Sequence, residues 1–356
     1  MGRQVGPDVD LGALVRLAVP ELREAERQAP RTGPGDKPDI PDWLIAGLIM
    51  AAVLRKKKSK SAQYRFLCDR RADLAGWLGD ARFPSRATYF RRYRRAHGLY
   101  RAAVRVQGER AVAEGVADPT DLAVDKSLLA GHGPAWHKRD RQAGKVPAGA
   151  DTDGTWGYSE HAGWVQGYSY EVVVTSGPAG VVFPLLASAD AASASEVKSF
   201  AAKIADLPAG TKTVSADSGY DANHLGEAVE YDPQTGRRTG RRFLCPENPR
   251  NNRRPKTKPG GADKARARGR ARRAARQRFL KSRRGRRTYA RRKVTAEPFN
   301  GWLKRLFDLE ARVWHRGLDN NRTQLLAAIF AYQLLLRLNH RSGKNNGHVC
   351  WILDAL

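Results

Sequence analysis

The sequence changes texture at Thr120, and that change limits the possible fold more than any other feature. Upstream the chain reads as helices. Downstream come four short apolar runs, LAVD, GYSYEVVV, GVVFPLLA and TKTVSAD, rich in Val and Tyr and separated by Gly-containing turns. Short runs of β-branched and aromatic residues bounded by turn formers are the mark of strands. Between the third and fourth, Ser193 to Leu207 reads as a helix with Val197, Phe200, Ala201 and Ile204 on one face. Glu196 stands near its start, where negative charge is favoured. Strand, helix, strand predicts a parallel pair within a mixed sheet.

The upstream part divides in two. A helix is expected from Leu11 to Ala29, followed by RTGPGDKPDIP, which no regular element tolerates, so residues 1–40 read as an arm and linker. From Asp42, WLIAGLIMAAVL is helical and runs into RKKKSK, a second helical segment from Ser61 to Leu78, and a third that Ser85 can cap. The third carries Tyr89, Phe90 and Tyr93 among Arg91, Arg92, Arg94 and Arg95. Residues 41–112 therefore read as a small, basic, all-helical domain. A charge run alone is ordinarily solvated surface. Basic surface repeated on two neighbouring elements beside aromatics makes Arg91 and Arg92 candidate DNA contacts.

Residues 118–340 form the expected α/β domain, closed by amphipathic helices from Glu297 to Leu309 and from Asn321 to Leu338. The second is apolar on most faces and should be buried against the sheet. Residues 341–356 are a tail. Within the domain, residues 250–293 hold 21 Lys or Arg against one acid, Asp263. Such a stretch should bury no core and should need a partner to order it. The whole chain carries 64 Lys plus Arg against 36 Asp plus Glu, a formal charge of +28, which calls for a polyanionic partner. Binding through these cations should weaken steeply with salt.

Other classes are disfavoured. At 41% hydrophobic residues the chain is too apolar for wholesale disorder. Its longest apolar stretch, Trp43 to Leu54, is too short to span a bilayer, and no secretory signal is visible. Cys68, Cys245 and Cys350 are far apart and lack the close pairing of a zinc site, so they read as reduced thiols in a cytoplasmic protein.

Three acids stand where a carboxylate needs a reason. Asp125 follows the run Leu122 to Val124, and Asp217 follows Val214 to Ala216, so both are expected at carboxyl ends of strands, where ligands collect in open α/β sheets. Glu297 lies on a helical segment that Phe299 and Trp302 can anchor. If they converge, their repulsion demands a cation, and oxygen-rich sites suit Mg²⁺ or Mn²⁺. A pair of such ions can activate an attacking oxygen and stabilise a leaving one in phosphoryl transfer. Taken singly, each acid can equally be a turn former or a solvated helix residue paired with Lys293.

In this order, LAVDKSLL, SADSGYD and AEPFNGWLKRLF resemble the aspartate, aspartate and glutamate blocks of bacterial insertion-sequence transposases of the IS4 and IS5 type, with GYSYEVVV like the block between the first two acids. The likeness runs from Trp43 to Asn339. It implies a ribonuclease H-like mixed sheet flanked by helices, preceded by the helical basic domain. It also implies catalytic, metal-binding Asp125, Asp217 and Glu297 holding two Mg²⁺ or Mn²⁺ ions. The implied activity is cleavage of transposon ends and joining of the freed 3′ hydroxyl to target DNA. The implied partners are double-stranded DNA (terminal inverted repeats and target) and a second copy of the chain, working as a homodimer at the nucleoid. An alternative is a catalytically inactive, transposase-derived or other basic nucleic-acid-binding protein.

The family surrounds its glutamate with a Tyr, an Arg and a later Lys, which makes Tyr289, Lys293 and Lys304 candidate DNA contacts. Lys304 matches the family spacing. Lys293 stands where Arg is typical, and Tyr289 falls one residue early. Lys293 keeps the charge but lacks the planar fork that holds a phosphate bidentately, which leaves Arg292 to grip the backbone from a shifted register. Pro298 requires that Glu297 begin its helix or sit at a bend.

Overall fold

The structure is a computed structural model that describes residues 10–29, 39–160, 162–176, 180–249, 263–344 and 346–356. Parts of the expected arm, linker and basic stretch (1–9, 30–38 and 250–262), together with His161, lie outside the described residues.

Six helices precede the sheet: α1 (Leu11–Gln28), α2 (Asp42–Leu54), α3 (Lys60–Asp69), α4 (Arg71–Leu78), α5 (Arg86–Tyr93) and α6 (His97–Ala113). The expected single helix from Ser61 to Leu78 is broken at Arg70 into α3 and α4. Ser85 caps α5 as its sequence suggests, its side chain accepting from the Thr88 amide.

Within the expected arm, α1 packs into the core. Leu14, Val15, Ala18, Leu22 and Ala25 are fully buried, because their spacing puts them on one face that packs against α2 and α6. Arg337, 1% exposed, ties this helix to two others. Its guanidinium reaches Glu21 of α1 at 2.6 Å, Glu114 at the end of α6 at 2.6 and 3.0 Å, and Gln107 of α6.

The expected strands form, with two more. β1 (Asp121–Ala130), α7 (Lys138–Gln142), β2 (Thr155–Ser159), β3 (Gly163–Ser176) and β4 (Val182–Ala191) lead to a short α8 (Glu196–Ala201), then β5 (Thr213–Ser215), α9 (Asn223–Glu230) and β6 (Arg242–Leu244). The sheet runs β2–β3–β1–β5–β6, with β4 also on β3. β1, β3 and β4 are antiparallel neighbours, whereas β1–β5 and β5–β6 are parallel. β4 and β5 on either side of α8 run parallel, as the strand–helix–strand pattern predicts, but they are not neighbours. The crossover passes over β3 and β1, and the parallel partner of β5 is β1. This is a ribonuclease H-like mixed sheet with flanking helices.

The chain then forms α10 (Asp263–Lys281), α11 (Arg283–Ala290), α12 (Ala296–Leu306), α13 (Leu318–Arg341) and α14 (Cys350–Ala355). α13 is buried on nearly every face, between α6, α2 and β4. α6 lies so close to β4 that a Cβ on Gly108 would stand 2.6 Å from the Leu185 carbonyl oxygen. The helical and α/β parts thus share one hydrophobic core.

The basic stretch is less detached than its composition suggests. Arg272, Arg273 and Arg276 of α10 pair with Glu227, Asp221 and Glu230 on and beside α9, and Gln277 donates to the Cys245 carbonyl at 2.8 Å. The cations of one helix face are answered by acids distant in sequence, which local composition cannot reveal. Among the described residues, no helix is long and apolar enough to cross a membrane.

Candidate active site

The first two acids meet because of strand register. β1 and β5 run parallel, with Leu122 beside Val214 and Ala123 beside Ser215. Carried two residues on, that register sets Asp125 level with Asp217. Asp125 is not at a strand end, as its apolar run suggests, since β1 continues to Ala130. It is β5 that stops at Ser215, leaving this edge of β1 uncovered just where Asp125 projects, while Asp125 keeps Val172 of β3 as its partner on the other side. Asp217 begins a 3-10 turn, Ser218–Tyr220, and accepts from the Gly219 amide at 2.8 Å. The Cys245 thiol, 2.9 Å from the Asp217 carbonyl oxygen, fixes the backbone there.

Arg292 joins the two aspartates. Its Nη2 lies 2.6 Å from Asp125 Oδ1 and 3.8 Å from Asp217 Oδ2. Asn300 of α12 donates to the other Asp125 oxygen at 2.7 Å. Burial pushes the Asp125 carboxyl up to about 6 even against the pull of Arg292, and the Asp217 charge adds to the rise. The arginine thus stands where two carboxylates need positive charge, rather than reaching outward for a DNA backbone. Tyr289, half-buried, lies against Arg292, and burial raises its phenol.

The register conflict around Glu297 has a structural origin. Tyr289 and Arg292 belong to the end of α11 and the turn after it, whereas Glu297 and Lys304 both lie on α12. The turn from 291 to 295 separates the two helices, so the spacing on one side need not match that on the other.

Pro298 is accommodated because α12 begins at Ala296, which leaves the proline in the first turn. Phe299 anchors this helix, fully buried and edge-on to Tyr170 of β3 and Tyr332 of α13. Trp302, expected to share that task, is 37% exposed. Glu297 is exposed, one helical turn before Asn300 and hence on the same face of α12. Among the described residues, no three His, Cys, Asp or Glu side chains are gathered closely enough to hold a metal ion. Two of the three expected acids are together, and Glu297 stands apart.

The expected DNA contacts fare unequally. Arg91 and Lys293 are exposed. Arg92 is not available, because its side chain is 7% exposed and engaged with the Asp42 carboxylate and the Ile40 carbonyl, closing α5 onto the start of α2. Lys304 is drawn in toward β1, its Nζ 3.1 Å from the Leu128 carbonyl oxygen, and its ammonium pKa is lowered by burial.

Three side chains at the site carried no sequence signal for it. Asn300 and Cys245 are two. The third is Glu196, whose carboxyl is pushed up to about 7 by burial and then by Asp217, with Lys126 pulling the other way. Other nearby acids are already committed. Glu171 is buried against Lys203 at 2.7 Å and accepts from Tyr220 at 2.9 Å, and Asp221 pairs with Arg273. Asp151 accepts from Tyr168 at 2.7 Å and from the Gly317 amide at the start of α13.

A family model for the transposase DDE domain matches residues 116–334, from just before β1 to within α13. The chain belongs to the DDE transposase family. No curated protein and no solved structure matches it. The family uses divalent metal ions, and the residues of this DDE domain suit one. The donors at Asp125 and Asp217 are all oxygen. The Asn300 Oδ1 beside them is buried without a hydrogen-bond partner. A guanidinium already sits where a cation would balance the charge. Mg²⁺ keeps several waters and is often held by only one or two carboxylates together with substrate phosphates, so two converging aspartates are a sufficient protein contribution.

Proposed function

We propose that this transposase cleaves the ends of its element and joins the freed 3′ hydroxyl to target DNA by two-metal-ion phosphoryl transfer, with Asp125, Asp217 and Glu297 holding the ions. The observation that carries the reading is the β1–β5 register, which levels Asp125 with Asp217 around one guanidinium inside a matched transposase domain. Bound Mg²⁺ or Mn²⁺ would supply charge stabilisation at the scissile phosphate and a more acidic attacking water.

The chain's own residues do the rest. Arg292 and Asn300 hold the two Asp125 oxygens in a fixed orientation. Glu297, exposed and apart from the two aspartates, shares a face of α12 with Asn300 and would have to close on the ions to serve as the third acid. The exposed Arg91 and Lys293, with the exposed arginines of α11, neutralise backbone phosphates of double-stranded DNA. Lys304, beside Leu128, lends positive charge next to Asp125. The partners are the terminal inverted repeats and target DNA, with two copies of the chain pairing the ends, in the cytoplasm at the nucleoid.

Cleavage of DNA carrying the sequences that flank the coding region tests this. Wild type should cut with Mg²⁺, and Asp217→Asn should bind the same DNA without cutting it. Equal cleavage by both proteins would sink the assignment. DNA binding without cleavage or joining by the wild type would favour an inactive, transposase-derived binder.

A further inference from the structure

We propose that Glu196 is a working acid of the same site, standing beside Asp217 and facing the divalent cation bound there. The inference rests on reading Asp125 and Asp217 as cation-holding acids.

Glu196 opens α8, the helix that packs against the 3-10 turn following Asp217. The point of approach is Gly219 in that turn. A Cβ built on Gly219 would fall on Glu196 Oε2 and stand 3.0 Å from Asp217 Oδ1. Its φ is not in the left-handed region, so no turn geometry demands glycine here. What the missing side chain leaves is space, and two carboxylates from different elements crowd into it.

The placement of Glu196 is held from behind. Lys126, the residue after Asp125 on β1, donates to the Ala192 and Ala194 carbonyl oxygens at 2.9 and 2.6 Å. It thereby pins the segment that leads into α8, and the Ser195 side chain then accepts from the Lys198 amide. Among the described residues, no hydrogen-bond donor reaches the Glu196 carboxylate, unlike Glu171 and Asp221, which are fully engaged. An acid set beside another acid, with the Lys126 charge near it but no hydrogen-bond donor of its own, is well placed for a cation or its waters. Glu196 approaches Asp217 and not Asp125, so it faces the cation from the Asp217 side, through its own oxygen or through a water of the ion.

The test is Mn²⁺ binding by the full-length, metal-free protein, followed as free Mn²⁺ by electron paramagnetic resonance, with Mn²⁺-induced thermal stabilisation as a second readout. Glu196→Gln should weaken Mn²⁺ at least about 10-fold, the lower end expected for groups that orient or assist a metal's ligands. Glu196→Asp should fall between it and wild type, and Asp217→Asn should bind most weakly. Wild-type affinity in Glu196→Gln, with binding lost in Asp217→Asn, overturns the role of Glu196 alone. Wild-type affinity in Asp217→Asn overturns the underlying reading of the site. Should Glu196→Gln fail to fold, Glu196→Asp decides, since it keeps the charge but shortens the reach. Wild-type affinity in that variant would count against the proposal.

Discussion

Replacing Asp125 by Asn should stabilise the metal-free protein at neutral pH and above, by an amount that shrinks as pH falls from about 6 to about 4. The Asp125 carboxyl titrates at about 6, against 3.8 for an unperturbed aspartate, with burial the largest cause. Each tenfold change in proton affinity is worth about 1.4 kcal/mol, so ionising this side chain within the fold costs about 3 kcal/mol. The attraction of Arg292 is already contained in that figure, because it is one of the forces setting the value. A raised carboxyl contributes stability that is complete below its unfolded value near 3.8 and is lost as pH rises through about 6. Asparagine has the shape of the protonated acid and carries no such loss.

Denaturant unfolding in EDTA at several values from pH 4 to pH 8 measures the difference between variant and wild type. It should be close to zero at pH 4, grow through pH 6, and level off at up to about 3 kcal/mol in favour of Asp125→Asn. Saturating Mn²⁺ should then stabilise the wild type and leave the variant nearly unmoved. A difference that is flat with pH, or that favours the wild type at pH 8 without metal, would refute the claim that burial and the neighbouring acid dominate at Asp125.

Two further outcomes follow from the same fold. Arg337→Ala leaves the carboxylates of Glu21 and Glu114 without their shared cation, one of them 4% exposed, and should cost about 3–5 kcal/mol in chemical unfolding. Changing Arg283, Arg284, Arg286 and Arg287, all exposed on α11, to Gln should weaken DNA binding and reduce the slope of log affinity against log salt by about 0.9 for each phosphate that is no longer neutralised. An unchanged slope would place the DNA elsewhere.

The elements that depend on local pattern were readable from the chain. The Val- and Tyr-rich runs became β1, β3, β4 and β5, and the apolar stretch after Asn321 became the buried α13. What local pattern could not carry was pairing. β6 is only three residues long, and it exists as a strand because β5 offers it a parallel edge. The arm became part of the core because Glu21 finds Arg337 more than three hundred residues away. Arg92 looked like surface because its neighbours are arginines, but its partner, Asp42, lies fifty residues upstream. In each case a partner distant in sequence overrode what the neighbours implied.

The site shows the same division more sharply. Asp125 and Asp217 could be picked out beside apolar runs, but only the parallel register of β1 and β5 makes them one site. Glu196 looked like an ordinary acid at a helix start, a reading that is locally sound. It takes on another meaning only when α8 folds down onto the turn after Asp217, at a glycine whose missing side chain leaves room for both carboxylates. Arg292 completes the picture. A cation held by two aspartates in the metal-free protein lowers the repulsion that would otherwise oppose folding of the site. It also opposes a divalent ion for the same oxygens. The geometry therefore sets folding without metal against affinity for it, and Arg292 is the residue on which that balance turns.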